Sequence, residues 1–144
     1  MSIPLYGQNK DGDNLQYAAD GKVKTGALSA ATLLSAADSG TIYTIDQDAA
    51  FSVTLPADEA GLWFRFVVTD AGAADVKIDS GASNGIKGFS MDPTTGINAI
   101  DNNLVKFADG VAVIGDYVEF WNDGTSWWGE SFSSATHGIV GANS

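Results

Sequence analysis

The chain holds no cysteine, a single histidine and only three prolines in 144 residues. Without thiols there is no disulfide framework and no thiolate metal site, which excludes an extracellular enzyme stapled by disulfides. The lone histidine, His137, lies in a Gly/Ser-rich stretch, and no G-x-S-x-G motif accompanies it. A nucleophile, its base and an orienting acid are therefore not assembled from any recognisable pattern, and one imidazole with no cysteine is a poor zinc set. The expectation is a protein that is not an enzyme and carries no cofactor. Long apolar runs are missing too. The start, MSIPLYGQNKDG, lacks the apolar core of a signal peptide, and no run approaches the length of a membrane span. A soluble chain with no membrane partner is expected.

Basic residues are scarce: seven against eighteen acids, a net charge of −11. Residues 1–28 balance Lys10, Lys22 and Lys24 against Asp11, Asp13 and Asp20, whereas residues 29–144 set fifteen acids against only Arg65, Lys77, Lys87 and Lys106. An acidic body of this kind argues against binding nucleic acid through phosphates, and it suits solubility at high local concentration.

What is present is strand signal, at its densest between Gly40 and Asp70. Thr41–Ile45 alternates, with Ile42 on the opposite face from Tyr43 and Ile45. Phe51, Val53 and Leu55 alternate with Ser52 and Thr54, and Pro56 ends that run because it has no amide proton for a ladder. Leu62–Val68 is apolar at nearly every position, as in a central strand covered on both faces; Trp63, Arg65 and Val67 share one face, and Leu62, Phe64, Phe66 and Val68 the other. Seventeen glycines fit many short strands and turns. The fold class that follows is all-β, an antiparallel β-sandwich or jelly-roll-like barrel with an extended N-terminal arm.

The organisation reads as an arm at 1–28, a β-domain at 29–134 and a tail at 135–144. In the arm, Ile3, Leu5, Tyr6, Leu15 and Tyr17 are spaced apolar anchors without clean periodicity, the pattern of a segment ordered only against a partner or a neighbouring subunit. Leu28–Ala37 fits a helical turn or a strand around Thr32–Leu34, and the strand is favoured. Val76–Ile78 is a short strand. Residues 79–103 have the composition of a long loop, which Phe89, Met91, Ile97 and Ile100 could pin to the body. Leu104–Phe107 and Val111–Ile114 around Ala108-Asp109-Gly110 read as a hairpin. So, more strongly, do Asp116–Asn122 and Thr125–Phe132 around Asp123-Gly124. A two-residue loop in that last hairpin pairs Phe120 with Trp127 and Glu119 with Trp128. Val118, Phe120 and Trp127 then face the core, while Tyr117, Trp121 and Trp128 share the other face with Glu119 and Glu130; a longer loop would slip the pairing. The tail, small and polar apart from Ile139 and Val140, reads as mobile or docked on a partner.

Among candidate chemistries, calcium draws on the many acids. Asp11-Gly12-Asp13-Asn14 opens like an EF-hand loop, yet Leu15 stands at a ligand position and Lys22 where the closing Glu is required. Asp46 and Asp48, flanking Gln47, read as turn residues. No metal site is expected. The aromatic face of the last hairpin is more informative, since Tyr117, Trp121 and Trp128 do not readily all stand in water. A second sheet, a subunit or a sugar would cover them, and Glu119 and Glu130 suit the rim of such a contact.

Four stretches together resemble a known family: L-S-A-A-D-S-G-T-I-Y-T-I-D (34–46), T-L-P-A-D-E-A-G-L-W-F-R-F-V-V (54–68), V-K-I (76–78) and G-D-Y-V-E-F-W-N-D-G-T-S-W-W (115–128). They look like a β-domain of small virion structural proteins of tailed bacteriophages. The opening P-L-Y-G-Q-N-K-D-G is similar to the starts of such proteins in marine cyanobacterial phages. The resemblance implies a capsid decoration (cement) protein, a homotrimer on the outer surface of the virion head bound to the major capsid protein. On that reading Tyr117, Trp121 and Trp128 form the oligomer interface, and the anchors Ile3, Leu5, Tyr6, Leu15 and Tyr17 attach to the capsid. The same domain type occurs in phage fibres, so a receptor- or polysaccharide-binding module of a fibre or tail is the alternative.

Overall fold

Every strand in this chain must hide one apolar face, and the chain solves this by crossing repeatedly between two sheets. The computed structural model describes residues 22–82 and 85–143. Its strands are β1 (Lys24–Leu28), β2 (Thr32–Leu33), β3 (Thr41–Asp46), β4 (Phe51–Thr54), β5 (Trp63–Asp70), β6 (Val76–Asp79), β7 (Ile86–Asp92), β8 (Gly96–Asn102), β9 (Leu104–Phe107), β10 (Tyr117–Asn122), β11 (Trp127–Phe132) and β12 (Ile139–Ala142). The larger sheet runs β1-β3-β5-β10-β11-β7-β8, and the smaller runs β12-β9-β6-β4-β2. The protein is all-β, and among the described residues the one helical element is a turn of 3-10 helix at Ala36–Asp38.

The first six strands alternate strictly between the sheets, so the chain winds around the core. β1, β3 and β5 stack in parallel on one side, and β2, β4 and β6 stack in parallel on the other. Short connections carry each strand across to the opposite sheet rather than back along itself. The corner at Gly40 has φ +84°, a conformation glycine adopts without penalty, and its amide bonds the carbonyl of Trp63 at 2.8 Å. After β6 the pattern changes: β9 closes antiparallel on β6, β10 closes antiparallel on β5, and β7 adds in parallel to β11. The expected antiparallel sheets are thus corrected to mixed ones, because winding around two layers makes same-sheet neighbours run in the same direction.

The core between the sheets is one cluster. Ile45, Phe64, Phe66, Val68, Val118, Phe120 and Trp127 enter it from the larger sheet, and Val53, Val76, Ile78, Val105, Phe107 and Ile139 from the smaller. Phe66 stacks on Tyr43 with centroids 5.7 Å apart and meets Phe120 edge-on at 5.9 Å. Arrangements of this kind add about 0.5–1.5 kcal/mol per pair beyond area burial.

Several expectations change on this scaffold. Residues 86–102 form the hairpin β7–β8, not a pinned loop; the glycines and short polar residues that looked loop-like sit within paired strands. Val111–Ile114 is a connector rather than a strand. The Asp116 amide bonds the Val113 carbonyl at 2.9 Å and the Asp116 carboxylate accepts the Val113 amide at 3.0 Å, while β9 takes β6 and β12 as partners. Leu28–Ala37 supplies both of its readings in miniature, the short strand β2 and the 3-10 turn. Residues Lys24–Leu28, placed in the arm by sequence, are an edge strand of the larger sheet, and Ile139–Ala142 of the tail is an edge strand of the smaller, with Ile139 buried. β5 is covered on one face only: Phe64, Phe66 and Val68 are fully buried, whereas Trp63, Arg65 and Val67 are half-exposed. Ile3, Leu5, Tyr6, Leu15 and Tyr17 lie outside the described residues.

Phe66→Ala empties the centre of this cluster and is expected to cost about 3–5 kcal/mol in urea unfolding. Ile97→Ala, on the outer face of β8, should stay within about 0.5 kcal/mol. Similar losses for both would contradict this placement of the core.

Candidate functional site: the outer face of the larger sheet

The last hairpin carries a four-residue loop, Asp123 to Ser126, and pairs Phe120 with Gly129, Trp121 with Trp128 and Asn122 with Trp127. The expected pairing is therefore displaced by two residues. Since side chains alternate with period two, a slip of two leaves every face unchanged. Val118, Phe120 and Trp127 are buried, while Trp121 is 51% and Trp128 37% exposed. No element among the described residues lies over this outer face.

Strand register arranges the face into rows that cross the sheet. One row is Val67, Tyr117, Phe132, Met91 and Ile97, apolar or aromatic on all five strands. Within it Tyr117 stacks on Phe132 at 6.4 Å, and Ile97 at the edge is 72% exposed. The next row mixes charge and ring: Arg65, Glu119, Glu130 and Phe89. The third runs Trp63, Trp121, Trp128, Lys87 and Asp101. Of the three expected interface residues, then, Tyr117 belongs to the apolar row, and Trp121 and Trp128 lie four residues along the strands in a different setting.

That setting is a groove of about 530 Å³, bounded by Trp121, Trp128, Lys87, Asp101, Glu119 and Glu130. Gly88 and Gly129 pair directly beneath it. A Cβ on Gly88 would stand 2.0 Å from the Gly129 carbonyl oxygen, and its φ of +128° also demands glycine, so here the two backbones close together without side chains. The walls are held by hydrogen bonds. The Trp128 indole N–H donates to Asp123 Oδ2 at 2.8 Å, and the Trp63 indole N–H donates to Glu119 Oε1 at 2.8 Å. Arg65 lies 4.1 Å above the Tyr117 ring with a guanidinium nitrogen 3.7 Å from Glu119, and Lys87 pairs with Asp101 at 3.0 Å. Trp121 and Trp128 stack at 6.2 Å with planes 20° apart. Asp123 also accepts bonds from the amides of Thr125 and Ser126 and the Thr125 hydroxyl. The indole donor first, then these groups, hold its carboxyl well below the usual carboxylate range.

Other candidates offer less. His137 is exposed in a turn at φ +59°, where its backbone amide donates to Asp92 Oδ2 at 3.3 Å. Asp46, Asp48 and Asp70 each bring a carboxylate oxygen within 4.8 Å of the others. Asp46 has the turn role expected of it, accepting the Asp48 amide at 2.9 Å. Three such groups fall short of the six to eight oxygens calcium takes. Sequence reasoning missed Lys87, Phe89 and Asp101, because the β7–β8 strands were read as loop. The opposite charges at 87 and 101 mark a cross-strand pair only once that hairpin is known. Comparison with known protein families, curated proteins and solved structures finds no match to the chain.

The lowered Asp123 acidity gives a pH prediction. A carboxylate depressed in the folded state stabilises fully above its unfolded value near about 4, and that contribution is lost as pH falls through the folded value. Thermal melts should show Asp123→Asn less stable than wild type at neutral pH, with the two curves converging only below about pH 4. Parallel curves down to the acid limit would refute this role for Asp123.

Proposed function

We propose that the chain is a non-enzymatic structural protein of a phage virion, which decorates and stabilises the outside of the capsid as a homotrimer bound to the major capsid protein. The observation that carries this reading is the apolar row Val67, Tyr117, Phe132, Met91 and Ile97 on the outer face of the larger sheet, where Phe132 and Ile97 are exposed and the other three half-buried. A second copy of the chain is the fitting cover. The body is strongly acidic, and like-charged copies meet at least cost through a row that carries no charge. The sequence resemblance supplies the virion setting. The subunit contact is then centred on Tyr117 and Phe132, with Trp121 and Trp128 at its margin.

Native mass spectrometry over micromolar dilution should find an oligomer that Ile97→Asp converts to monomer and Trp121→Ala leaves assembled. Immunogold labelling of the parent particles with antibody to this chain should decorate the head. A wild-type monomer throughout, or gold confined to the tail, would sink the proposal.

A further inference from the structure

We infer that the groove between Trp121, Trp128 and the β7–β8 hairpin is a binding site for an uncharged pyranose saccharide. The inference stands on the groove alone and does not require self-association, since the apolar row lies four residues along β10 and β11 from Trp121 and Trp128.

Size comes first. At about 530 Å³ the groove falls within the roughly 300–1,000 Å³ of small-molecule sites. The chemistry of its walls then selects the ligand. An indole face is electron-rich, so it attracts the weakly positive C–H bonds lining one face of a pyranose ring. Hydroxyls around the sugar's edge need acceptors and donors. Glu130, Glu119 and Asp101 present carboxylate oxygens, and Lys87 presents an ammonium group. A purely apolar ligand would leave these charged groups poorly solvated, and three carboxylates against one lysine repel an anionic one. A ligand with an apolar face and a neutral hydroxylated rim satisfies both conditions.

Preorganisation is the second observation. The Trp128 indole N–H is already bonded to Asp123, and Asp123 is held in turn by three further donors. Glu119 is fixed by the Trp63 indole and by Arg65. A ring whose polar atom is satisfied offers its face to a ligand without losing a hydrogen bond to water, and walls already fixed lose little freedom on binding. Packing against the neighbouring Trp121 ring holds the platform at one angle.

The test is saturation-transfer NMR and tryptophan fluorescence on the full chain, with cellotetraose, maltotetraose and chitotetraose as neutral probes and tetragalacturonate as the anionic one. At least one neutral probe should saturate below about 10 mM, with the strongest transfer to ring C–H protons. Trp128→Ala should weaken binding at least about tenfold, and Trp128→Phe should recover part of it. Glu130→Gln, which keeps the platform intact, should weaken binding without changing the near-UV circular dichroism. Ile97→Asp should leave binding as in wild type, which separates this site from the assembly proposed above. No response to any neutral probe, preference for tetragalacturonate, indifference to Trp128→Ala, or loss of binding in Ile97→Asp would each overturn the inference.

Discussion

The two sheets are unequal, and the rest of the molecule depends on that inequality. Each strand has one face to remove from water and only the opposite sheet to remove it against. Among the described residues seven strands face five, and the apolar side chains that meet between them form a single cluster. Fully burying a side chain of the size of Phe64, Ile78 or Phe107 contributes about 1.5–3 kcal/mol, so this slab is the main favourable term. It uses only the inner faces. The larger sheet also has an outer face, which carries Trp63, Tyr117, Trp121, Trp128 and Phe132, and no third layer is supplied for it among the described residues. A function for this chain is sought there because that is where apolar area is left over.

Winding and closure place different demands on the backbone, and two buried polar side chains join them. Gln47, at the end of β3, has its amide nitrogen 3.0 Å from the Ala74 carbonyl and 3.4 Å from that of Phe107, which ties the wound strands to β9. Asp116, just before β10, accepts bonds from the Val113 amide, the Ser133 hydroxyl and the amide and hydroxyl of Ser134, so the start of β10 is fastened to the end of β11. Both groups are almost wholly shielded from solvent. Removing either strands its partners in the interior at roughly 1–3 kcal/mol per unsatisfied group, more than a typical surface bond contributes.

Alternation made much of this legible in the sequence. Phe51, Val53, Val118, Phe120 and Trp127 were assignable to the core from period-two patterning, and all are buried. The nearly unbroken apolar run Leu62–Val68, by contrast, suggested cover on both faces where only that of Phe64, Phe66 and Val68 has it. The face of the last hairpin survived a wrong loop length because the error was two residues. Strand direction was not legible, since a run such as Phe51–Thr54 has the same pattern in parallel and antiparallel ladders. Nor was the β7–β8 hairpin. Its inner positions include Gly88, Ser90 and Asp92, polar or without a side chain, so the contrast between faces on which alternation depends is weak there. Asp92 shows why polarity misled: its carboxylate is buried because it accepts bonds from the amides of Thr94, Thr95 and His137 and the hydroxyl of Thr95, closing the turn after β7. Half of the groove was hidden with that hairpin, although Trp121 and Trp128 were already singled out.

Charge placement explains why the outer face of the larger sheet can be approached at all. Residues 29–144 contain four basic side chains, and Arg65 and Lys87 stand on this face, each beside a carboxylate; the other two, Lys77 and Lys106, stand on the outer face of the smaller sheet. The bases therefore lie on the sheets, while many of the acids crowd the turns, among them Asp48, Asp58, Glu59, Asp109 and Asp123. Two copies approaching through their turns would bring like charges together within a screening length of about 8 Å at physiological salt. Two copies approaching face to face would not. The smaller sheet presents Ser52, Lys77, Lys106 and Val140 in a row without an aromatic ring, and Leu33 stands exposed at its edge. The larger sheet combines paired charges with exposed aromatic area, so repulsion at the turns steers contact towards it.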